Sequence, residues 1–325
     1  MKVLIVGGAG YIGSHVTKWL SQRGIETVVL DDLSRGSRAA LRWGRFYEGS
    51  CAARPLLDRV FSEQAIDAVM HFAAFAYVGE SVEKPDLYYG NNVAATLSLL
   101  DAMVAHGVLR FVFSSSCATF GGALRLPIDE THPQNPINPY GRSKLMVEWM
   151  LEDYDRAFGL KSCVFRYFNA AGCDPEGEIG ESHDPETHLI PLVLKSLAGR
   201  GPEISVFGTD YPTPDGTCLR DYIHVNDLAE AHRLGLLRLI ESGRSDDYNL
   251  GNGNGFSVRE VIAAAEKVAG LEARVLSKPR RPGDPPALVG SSAKAASILG
   301  WKPRYTDLEE IIRTAWNWER TKASS

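Results

Sequence analysis

Tyr140 and Lys144 are the residues whose types and spacing indicate proton-transfer chemistry in this chain. They stand four residues apart, so both side chains lie on one face if the segment is helical. A free tyrosine ionises at about pH 10, too high for a base at neutrality, and a neighbouring ammonium favours the phenolate. The pair predicts a base that exchanges a proton with a substrate hydroxyl. An exposed helical pair without function would have the same spacing.

Three serines, Ser114 to Ser116, strengthen this interpretation. They follow an apolar run at Phe111–Phe113 that is typical of a buried strand. A hydroxyl at a strand end could hydrogen-bond both the substrate oxygen and the Tyr140 phenol, whereas the alternative is a simple turn or helix cap. Serine, tyrosine and lysine in this order are more specific than any one of the motifs.

A glycine-rich turn near the N-terminus predicts a dinucleotide site. Gly7, Gly10 and Gly13 follow a short apolar strand and open a helix, which allows a tight turn and close approach of a pyrophosphate to the helix N-terminus. Asp31 stands 18 residues after Gly13, at the end of the second strand. A carboxylate there accepts ribose hydroxyls and repels a 2′-phosphate, so NAD is favoured over NADP. A turn role for Asp31 is the alternative.

Composition bounds the function classes. The chain has 325 residues, is 44% hydrophobic and 23% charged, and carries a net charge of −5. That charge gives no sign of a nucleic-acid or membrane-surface partner. The five cysteines are scattered without zinc-finger or redox spacing, which predicts free thiols in a reducing cytoplasm, and we expect no metal site. No apolar run is long enough for a membrane span.

The elements that position these residues alternate between strand and helix patterns. This alternation predicts an α/β fold, a Rossmann-type doubly wound parallel sheet with a smaller C-terminal α/β substrate domain. We assign residues 1–170 to the NAD-binding domain and 171–325 mostly to the substrate domain, with a segment near 221–251 returning to the first. The predicted strands are Val3–Val6, Thr27–Leu30, Ala68–Phe72, Phe111–Ser114, Ser162–Tyr167, Ile204–Phe207, Tyr222–His224 and Tyr248–Leu250. The predicted helices are Ile12–Arg23, Leu56–Gln64, Asn92–Ala105, Ser143–Phe158, His188–Leu197, Val225–Leu239 and Ser257–Ala269. Loops are predicted at Cys173–Thr187 and Pro279–Pro286.

Motifs along nearly the whole chain carry a family resemblance. The sequence resembles the extended short-chain dehydrogenase/reductases and, within them, the UDP-glucose (UDP-galactose) 4-epimerase family. The matching stretches are GGAGYIGSH at 7–15, HFAA at 71–74, VGES at 78–81, NNV at 91–93, SSSCATFG at 114–121, NPYGRSKLMVE at 138–148, RYFN at 166–169, HLIP at 188–191, FGTDYPTPDGTCLRDYIHV at 207–225, YNLG at 248–251 and RRPGDP at 280–285.

The resemblance implies an NAD-dependent, redox-neutral inversion at C4 of a UDP-hexose through a 4-keto sugar. It makes Tyr140 the base, Lys144 the residue that holds the nicotinamide ribose and lowers the tyrosine pKa, and Ser116 the partner of the 4-hydroxyl. The implied cofactor-binding residues are Gly7, Gly10, Tyr11, Ile12, Gly13, Asp31, Phe72, Ala73, Ala74, Asn91, Tyr140, Lys144 and Tyr167. The implied substrate-binding residues are Ser116, Asn169, His188, Leu189, Phe207, Arg220, Arg281, Asp284 and Leu288.

Four positions depart from the family pattern. Ser50 replaces an aspartate that contacts adenine, and Ala76 replaces a lysine of the loop after HFA. Phe120 stands where tyrosine is usual. Leu288 falls where a bulky tyrosine restricts the sugar pocket in the family, so we expect leucine to admit N-acetylated sugars.

The resemblance leaves neighbouring functions open. The alternatives are 4-epimerisation of UDP-xylose/UDP-arabinose or of UDP-N-acetylglucosamine, a nucleotide-sugar dehydratase, an ordinary dehydrogenase that releases NADH, and a non-catalytic NAD or sugar-nucleotide sensor. Cys117-Ala118 occupies the region where dehydratases carry an Asp-Glu pair. The resemblance also implies a homodimer that associates through the helices at Asn92–Ala105 and Ser143–Phe158.

Overall fold

A computed structural model describes residues 1–281 and 284–322. Pro282 and Gly283, in the predicted loop Pro279–Pro286, lie outside the described residues. The strands are β1 Lys2–Val6, β2 Glu26–Asp31, β3 Arg45–Glu48, β4 Ala68–His71, β5 Arg110–Ser116, β6 Lys161–Tyr167, β7 Asn169–Ala171, β8 Ile204–Phe207, β9 Leu219–Arg220, β10 Tyr222–His224, β11 Asp246–Leu250, β12 Phe256–Ser257, β13 Val275–Lys278 and β14 Ala287–Leu288.

The helices connect these strands. They are α1 Tyr11–Ser21, α2 Arg54–Glu63, α3 Val78–Glu83, α4 Pro85–Tyr88, α5 Ala95–Ala105, α6 Pro139–Phe158, α7 Leu189–Leu197, α8 Val225–Ser242, α9 Val258–Ala269, α10 Ala293–Leu299 and α11 Leu308–Thr321. None of the helices in the described ranges is both long and apolar enough to cross a membrane.

A seven-stranded parallel sheet is the centre of the molecule. Its order is β11-β6-β5-β4-β1-β2-β3, and every neighbouring pair is parallel. Its strands are apolar runs because helices cover both faces. Residues of α2, α5 and α6 form one core with the sheet, and residues of α1 and α8 form the other. The predicted doubly wound α/β fold is confirmed.

The strand order reverses between β1 and β4, which places a ligand crevice at their carboxyl ends. The strand Asp246–Leu250 joins this sheet beside β6, although it follows the C-terminal helices α7 and α8 in the chain. Two small sheets, β13-β8 and β12-β9-β14, lie outside the central sheet. Residues of β8, α7, α9 and α11 form a further core. The division into two domains at residue 170 stays a prediction.

Two predicted helices have different starts. The helix predicted at Ser143–Phe158 begins four residues earlier, at Pro139, where Asn138 caps it. The predicted helix Asn92–Ala105 begins instead with a π-helical turn, Tyr89–Ala94. Asn92 explains the wider turn, because its side chain bonds Phe75 N, Phe75 O and Ser143 Oγ at 2.9–3.0 Å. Sequence patterns also missed the two-residue strands β9, β12 and β14, which are too short to show a period of two.

Candidate active site

A cleft of about 870 Å³ opens at the carboxyl ends of the central strands. Two predicted site residues, Leu189 and Phe207, do not line it. The predicted site residues that do line it are Gly7, Gly10, Tyr11, Ile12, Gly13, Asp31, Phe72, Ala73, Ala74, Asn91, Ser116, Tyr140, Lys144, Tyr167, Asn169, His188, Arg220, Arg281, Asp284 and Leu288.

The glycine turn forms a cradle, and it packs so closely that a side chain at Gly7 or Gly13 would clash with the backbone. A Cβ on Gly7, whose φ is +85°, would lie 2.4 Å from the Ala73 backbone nitrogen. A Cβ on Gly13 would lie 2.2 Å from the Gly7 carbonyl oxygen. Helix α1 begins after Gly10 without a side-chain cap, so its first-turn N–H groups and its positive dipole end face the cleft. This geometry fits a pyrophosphate.

Asp31 is a fixed carboxylate at the end of β2. It accepts hydrogen bonds from Ala9 N at 2.9 Å and from Leu33 N at 2.8 Å. Burial raises its pKa, although these hydrogen bonds act in the opposite direction. Two backbone donors orient the carboxylate towards the cleft wall. The orientation fits a ribose diol beside the glycine cradle and disfavours a phosphate there.

Helix α6 and strand β5 bring the proton-transfer residues together. Asn138 caps α6 by accepting from Gly141 N at 2.8 Å, so Tyr140 and Lys144 lie on its first turns. Ser116 ends β5, and its oxygen accepts from Ala118 N at 3.2 Å. The Ser116 hydroxyl is therefore left to donate to the Tyr140 phenol, and this hydrogen bond lowers the phenol's pKa.

Burial dominates the ionisation of Tyr140 and Lys144. It raises the pKa of Tyr140 to about 12 despite the hydrogen bond with Ser116. It lowers the pKa of Lys144 to about 7, opposed by the negative charge of Glu148. Lys144 Nζ donates to the Ser114 carbonyl oxygen at 2.6 Å. Desolvation therefore dominates both groups in the protein alone, and the prediction that Lys144 lowers the pKa of Tyr140 stays a prediction.

A buried charge network lies behind the serines and was missed by sequence analysis. Glu148 accepts from Ser115 Oγ and from Arg166, whose Nη2 approaches Glu148 Oε2 at 2.6 Å. Arg166 also donates to Asp247 on β11. The network joins α6, β6 and β11 directly behind the strand end that carries Ser116. The position of Glu148, four residues after Lys144, was a usable signal for it.

Two arginines and one carboxylate stand at the opposite end of the cleft. Arg281 Nε donates to Asp284 at 2.9 Å, and Arg220 Nη2 lies 3.7 Å from the same carboxylate. Arg220 therefore faces Asp284 rather than its chain neighbour Asp221, whose buried carboxylate accepts from backbone amides. Two guanidinium groups against one carboxylate leave a net positive charge, which suits a diphosphate.

The remaining predicted substrate residues lie around this pair. Phe207 lies outside the cleft wall, and the Arg281 guanidinium stands 4.8 Å from its ring centroid. Asn169 donates its amide to the Asp221 carbonyl at 3.0 Å. Leu288 packs on the small core of Phe120, Ile128 and Phe168. Phe120, which stands where tyrosine is usual in the family, is thus a buried core side chain.

The positions of Ser50 and Ala76 both line the cleft, near a residue that sequence analysis missed. Arg35 extends over Phe75 and Tyr77, with its guanidinium carbon 5.1 Å from each ring centroid. It also donates to Glu80 at 3.0 Å. A cation therefore borders the cleft beside Ala76, although the predicted lysine position is neutral.

A second group, missed by sequence analysis except for His188, is the cluster of carboxylates and imidazoles in the loop before α7. Glu181, His183, Glu186 and His188 bring one ligand atom each within 4.8 Å of one another. Three of them line the cleft, the exception being Glu186. Their spacing, Glu-x-His-x₂-Glu-x-His, was a sequence signal that cysteine spacing alone could not reveal.

Comparison with known proteins gives consistent results. Residues 3–251 match the model of the "NAD dependent epimerase/dehydratase family". The UDP-glucose 4-epimerase of Rhizobium leguminosarum bv. trifolii is 52% identical over 316 residues, which cover 97% of this chain and 96% of the relative.

Solved structures agree with the sequence matches. The UDP-glucose 4-epimerase from Brucella ovis in complex with NAD has a TM-score of 0.95 and 53% identity, covering 97% of each chain. The enzyme from Bifidobacterium longum in complex with NAD⁺ and UDP has a TM-score of 0.93 and 39% identity, covering 99% of each chain. These matches confirm the predicted resemblance, and the chain belongs to the NAD dependent epimerase/dehydratase family.

Proposed function

We propose that this chain inverts the configuration at C4 of a UDP-hexose, interconverting UDP-galactose and UDP-glucose with NAD as cofactor. The observation that carries the proposal is the convergence of Ser116, Tyr140 and Lys144 in one cleft, between the glycine cradle and the arginine pair Arg220 and Arg281. The high identity to UDP-glucose 4-epimerases over nearly the full chain supports the same reaction.

The residues present fit the dinucleotide. The first-turn amides of α1 hold the pyrophosphate, Asp31 accepts the adenosine ribose hydroxyls, and Lys144 holds the nicotinamide ribose. Asn91, Tyr167 and the backbone at Phe72–Ala74 line the same wall. NAD, when bound, supplies the reversible hydride acceptor for C4.

Tyr140 handles the proton of the C4 hydroxyl. As phenolate, Tyr140 takes that proton and becomes the phenol, and it later returns the proton to the same oxygen, while Ser116 hydrogen-bonds this oxygen and orients it. Lys144, with a pKa of about 7, is partly protonated at neutrality and supplies positive charge beside the phenol. Tyr140 is only partly buried in the open cleft, so the bound substrate and cofactor would have to exclude water from this transfer.

The arginine pair holds the nucleotide end. Arg220 and Arg281 bind the diphosphate with planar forks, and Asp284 orients both guanidinium groups in its absence. Because the grip is on the diphosphate, the sugar ring can turn and present either face of C4 to the nicotinamide. Asn169 and Leu288 border the space in which the ring turns.

A different UDP-sugar is the second candidate. Leu288 is smaller than the tyrosine that restricts the pocket in this family, which favours UDP-N-acetylglucosamine as an additional substrate. UDP-xylose/UDP-arabinose is a further candidate. These reactions use the same Ser116, Tyr140 and Lys144, so only the substrate range distinguishes them.

The location and assembly are further parts of the proposal. The five cysteines are all free thiols, which suits the reducing cytoplasm. We also place the chain in a homodimer that associates through α5 and α6. Large apolar side chains on these helices, Leu97, Trp149 and Phe158, are 42–55% exposed, and a partner subunit would cover them.

The test is proton NMR of the purified protein with UDP-galactose and no added NAD. We expect UDP-glucose to appear and the two sugars to reach a stable mixture. Conversion only after NAD is added would mean that the cofactor is lost on purification, consistent with the substitutions at Ser50 and Ala76. Without conversion even then, UDP-N-acetylglucosamine and UDP-xylose are tried next. Inertness towards all three, with UDP still bound, would overturn the proposal in favour of a sensor.

A further inference from the structure

The loop before α7 carries a cluster of two glutamates and two histidines that takes no part in the proposed proton and hydride transfer. His183 Nδ1 and His188 Nδ1 each lie 3.0 Å from Glu181 Oε1. Glu186 offers its two carboxylate oxygens at 2.9 Å from His188 Nδ1 and 3.9 Å from His183 Nδ1. The four residues thus direct two imidazole nitrogens and two carboxylates at one point.

The two carboxylates of this cluster are buried. The Glu181 and Glu186 side chains are only 6% and 3% exposed. Glu186 is held in place because it accepts from the backbone N–H groups of Thr187 and His188 at 2.8 and 2.9 Å. Two buried carboxylates this close repel each other unless a cation stands between them. Either two imidazolium ions or a metal ion supplies that charge.

The distances match a metal polyhedron. A tetrahedral Zn²⁺ with bonds of about 2.0–2.2 Å has ligand atoms about 3.3–3.6 Å apart. The four histidine–carboxylate separations are 2.9–3.9 Å, three of them at hydrogen-bond distance, and all four ligand atoms lie within 4.8 Å of one another, so a small shift would allow them to surround one ion. We propose that Glu181, His183, Glu186 and His188 form a tetrahedral site for a divalent transition-metal ion of the zinc type.

In a neighbouring group of carboxylates, a lysine neutralises the negative charge. Asp174, Glu176 and Glu178 also lie close together, but Lys18 Nζ already stands between them, 2.8 Å from Asp174 and from Glu178. That trio needs no metal ion, since a lysine provides the cation. Among the described residues, no lysine or arginine forms an ion pair with the Glu181 or Glu186 carboxylate, since Lys322 reaches only the Glu181 backbone carbonyl. Imidazole nitrogen is a common ligand of Zn²⁺.

The ion would have a structural role in the cleft wall. Its four ligands come from one short segment and complete the coordination sphere, which is typical of structural rather than catalytic zinc. The Glu181 carbonyl accepts from Trp318 Nε1 and Lys322 Nζ at 3.0 Å, so this segment is also tied to α11. The His183 ring stands edge-on to Tyr11 and Tyr77, which line the cofactor side of the cleft. The ion would fasten the loop between α11 and the cleft.

The first experiment measures metal content without using activity. The full-length protein is treated with dipicolinate, its residual metal is determined by mass spectrometry, and Zn²⁺ is titrated back against a chromophoric chelator. We expect about one Zn²⁺ per chain and a higher unfolding temperature on reloading. Loading with Co²⁺ instead should give the intense visible absorption of a tetrahedral site, which tests the wild-type chain directly.

The variant test compares two kinds of histidine. The double substitution His183→Gln and His188→Gln should weaken Zn²⁺ binding by at least about 100-fold, because two of four ligands are lost. His106→Gln is the matched control, since His106 is a partly exposed imidazole paired with Asp58 away from the cleft, and it should bind as the wild type does.

Two results would overturn the proposal. One is that the wild-type chain binds neither Zn²⁺ nor Co²⁺ above background and has the same unfolding temperature with and without dipicolinate. The other is Zn²⁺ binding that survives in the folded double variant. Both results are read from metal binding and unfolding temperature rather than from turnover, so a failure of the metal site is distinguished from a failure of the proposed reaction.

Discussion

At the scale of single residues, burial shifts the pKa values of Tyr140 and Lys144 in the direction that favours their neutral forms. Burial raises the pKa of Tyr140 to about 12 and lowers that of Lys144 to about 7. The phenol therefore holds its proton firmly in the protein alone, and the deprotonated form depends on positive charge brought next to it. Tyr140 therefore stays protonated, and inactive as a base, until ligands occupy the cleft. This limits unproductive proton exchange with water.

Replacing Tyr140 with Phe should lower turnover of UDP-galactose by about 10²–10⁴-fold, the usual contribution of a general acid–base group. The change removes one hydroxyl from a cleft whose diphosphate grip lies at Arg220 and Arg281, so affinity for UDP should remain. Turnover by NMR and UDP binding by calorimetry measure the two effects separately.

Tyr154→Phe is the control for this change. Tyr154 lies on the same helix, and its hydroxyl bonds Asp101 near the surface rather than the cleft. Turnover in this variant should match the wild type. Near-full turnover in Tyr140→Phe itself would exclude Tyr140 as the base.

At the scale of elements, the network behind the active site joins α6, β6 and β11. Glu148 and Arg166 are 5% and 8% exposed, and Arg166 also reaches Asp247. A buried pair of this kind contributes little against an apolar replacement of both partners, but loss of one partner leaves an uncompensated charge. The network therefore orients the helix that carries Tyr140 against the strand that carries Ser116.

Arg166→Leu should lower the free energy of unfolding by about 3–5 kcal/mol, because Glu148 remains buried without its partner. Urea unfolding monitored by tryptophan fluorescence measures the change. Arg156→Leu is the control. Arg156 lies near the exposed end of α6, and the change breaks only its surface pairs with Glu152 and Asp153, so the free energy of unfolding should fall by less than about 1 kcal/mol. Equal effects in the two variants would contradict the assigned role of the buried network.

At the scale of the whole molecule, buried neutral histidines lie where the layers meet. Burial lowers the pKa of His15 and His232 to about 4, and that of His71 and His224 to about 3. They lie on α1, α8, β4 and β10. In the unfolded chain a histidine titrates at about pH 6.5, so it binds a proton there before the folded protein does.

Stability should therefore fall as pH decreases from about 6.5 to about 4. In that window the unfolded state binds more protons than the folded state, and each such histidine contributes a slope of up to about 1.4 kcal/mol per pH unit. Urea unfolding at a series of pH values measures the slope. His232→Leu should make it shallower, because the His232 ring packs against Phe72 and Phe165 and its Nε2 has no hydrogen-bond partner among residues 1–281 and 284–322. An unchanged slope in this variant would show that other groups cause the acid sensitivity.

The sequence by itself determined the fold class and most of the cleft. Strand–helix alternation and the glycine turn are local patterns, because each depends on residues within one βα unit. The same is true of Tyr140 and Lys144, whose relation is one helical turn. The resemblance then assigned Arg220, Arg281 and Asp284, which no local pattern would have distinguished from surface residues.

Only the tertiary structure decided which charges face each other and how deeply they are buried. Arg220 faces Asp284 instead of Asp221, and Lys144 is more desolvated than its spacing from Tyr140 could indicate. The cluster around His183 likewise depends on the path of a loop. Desolvation and charge pairing depend on every element that packs around a group, and these elements come from distant parts of the chain.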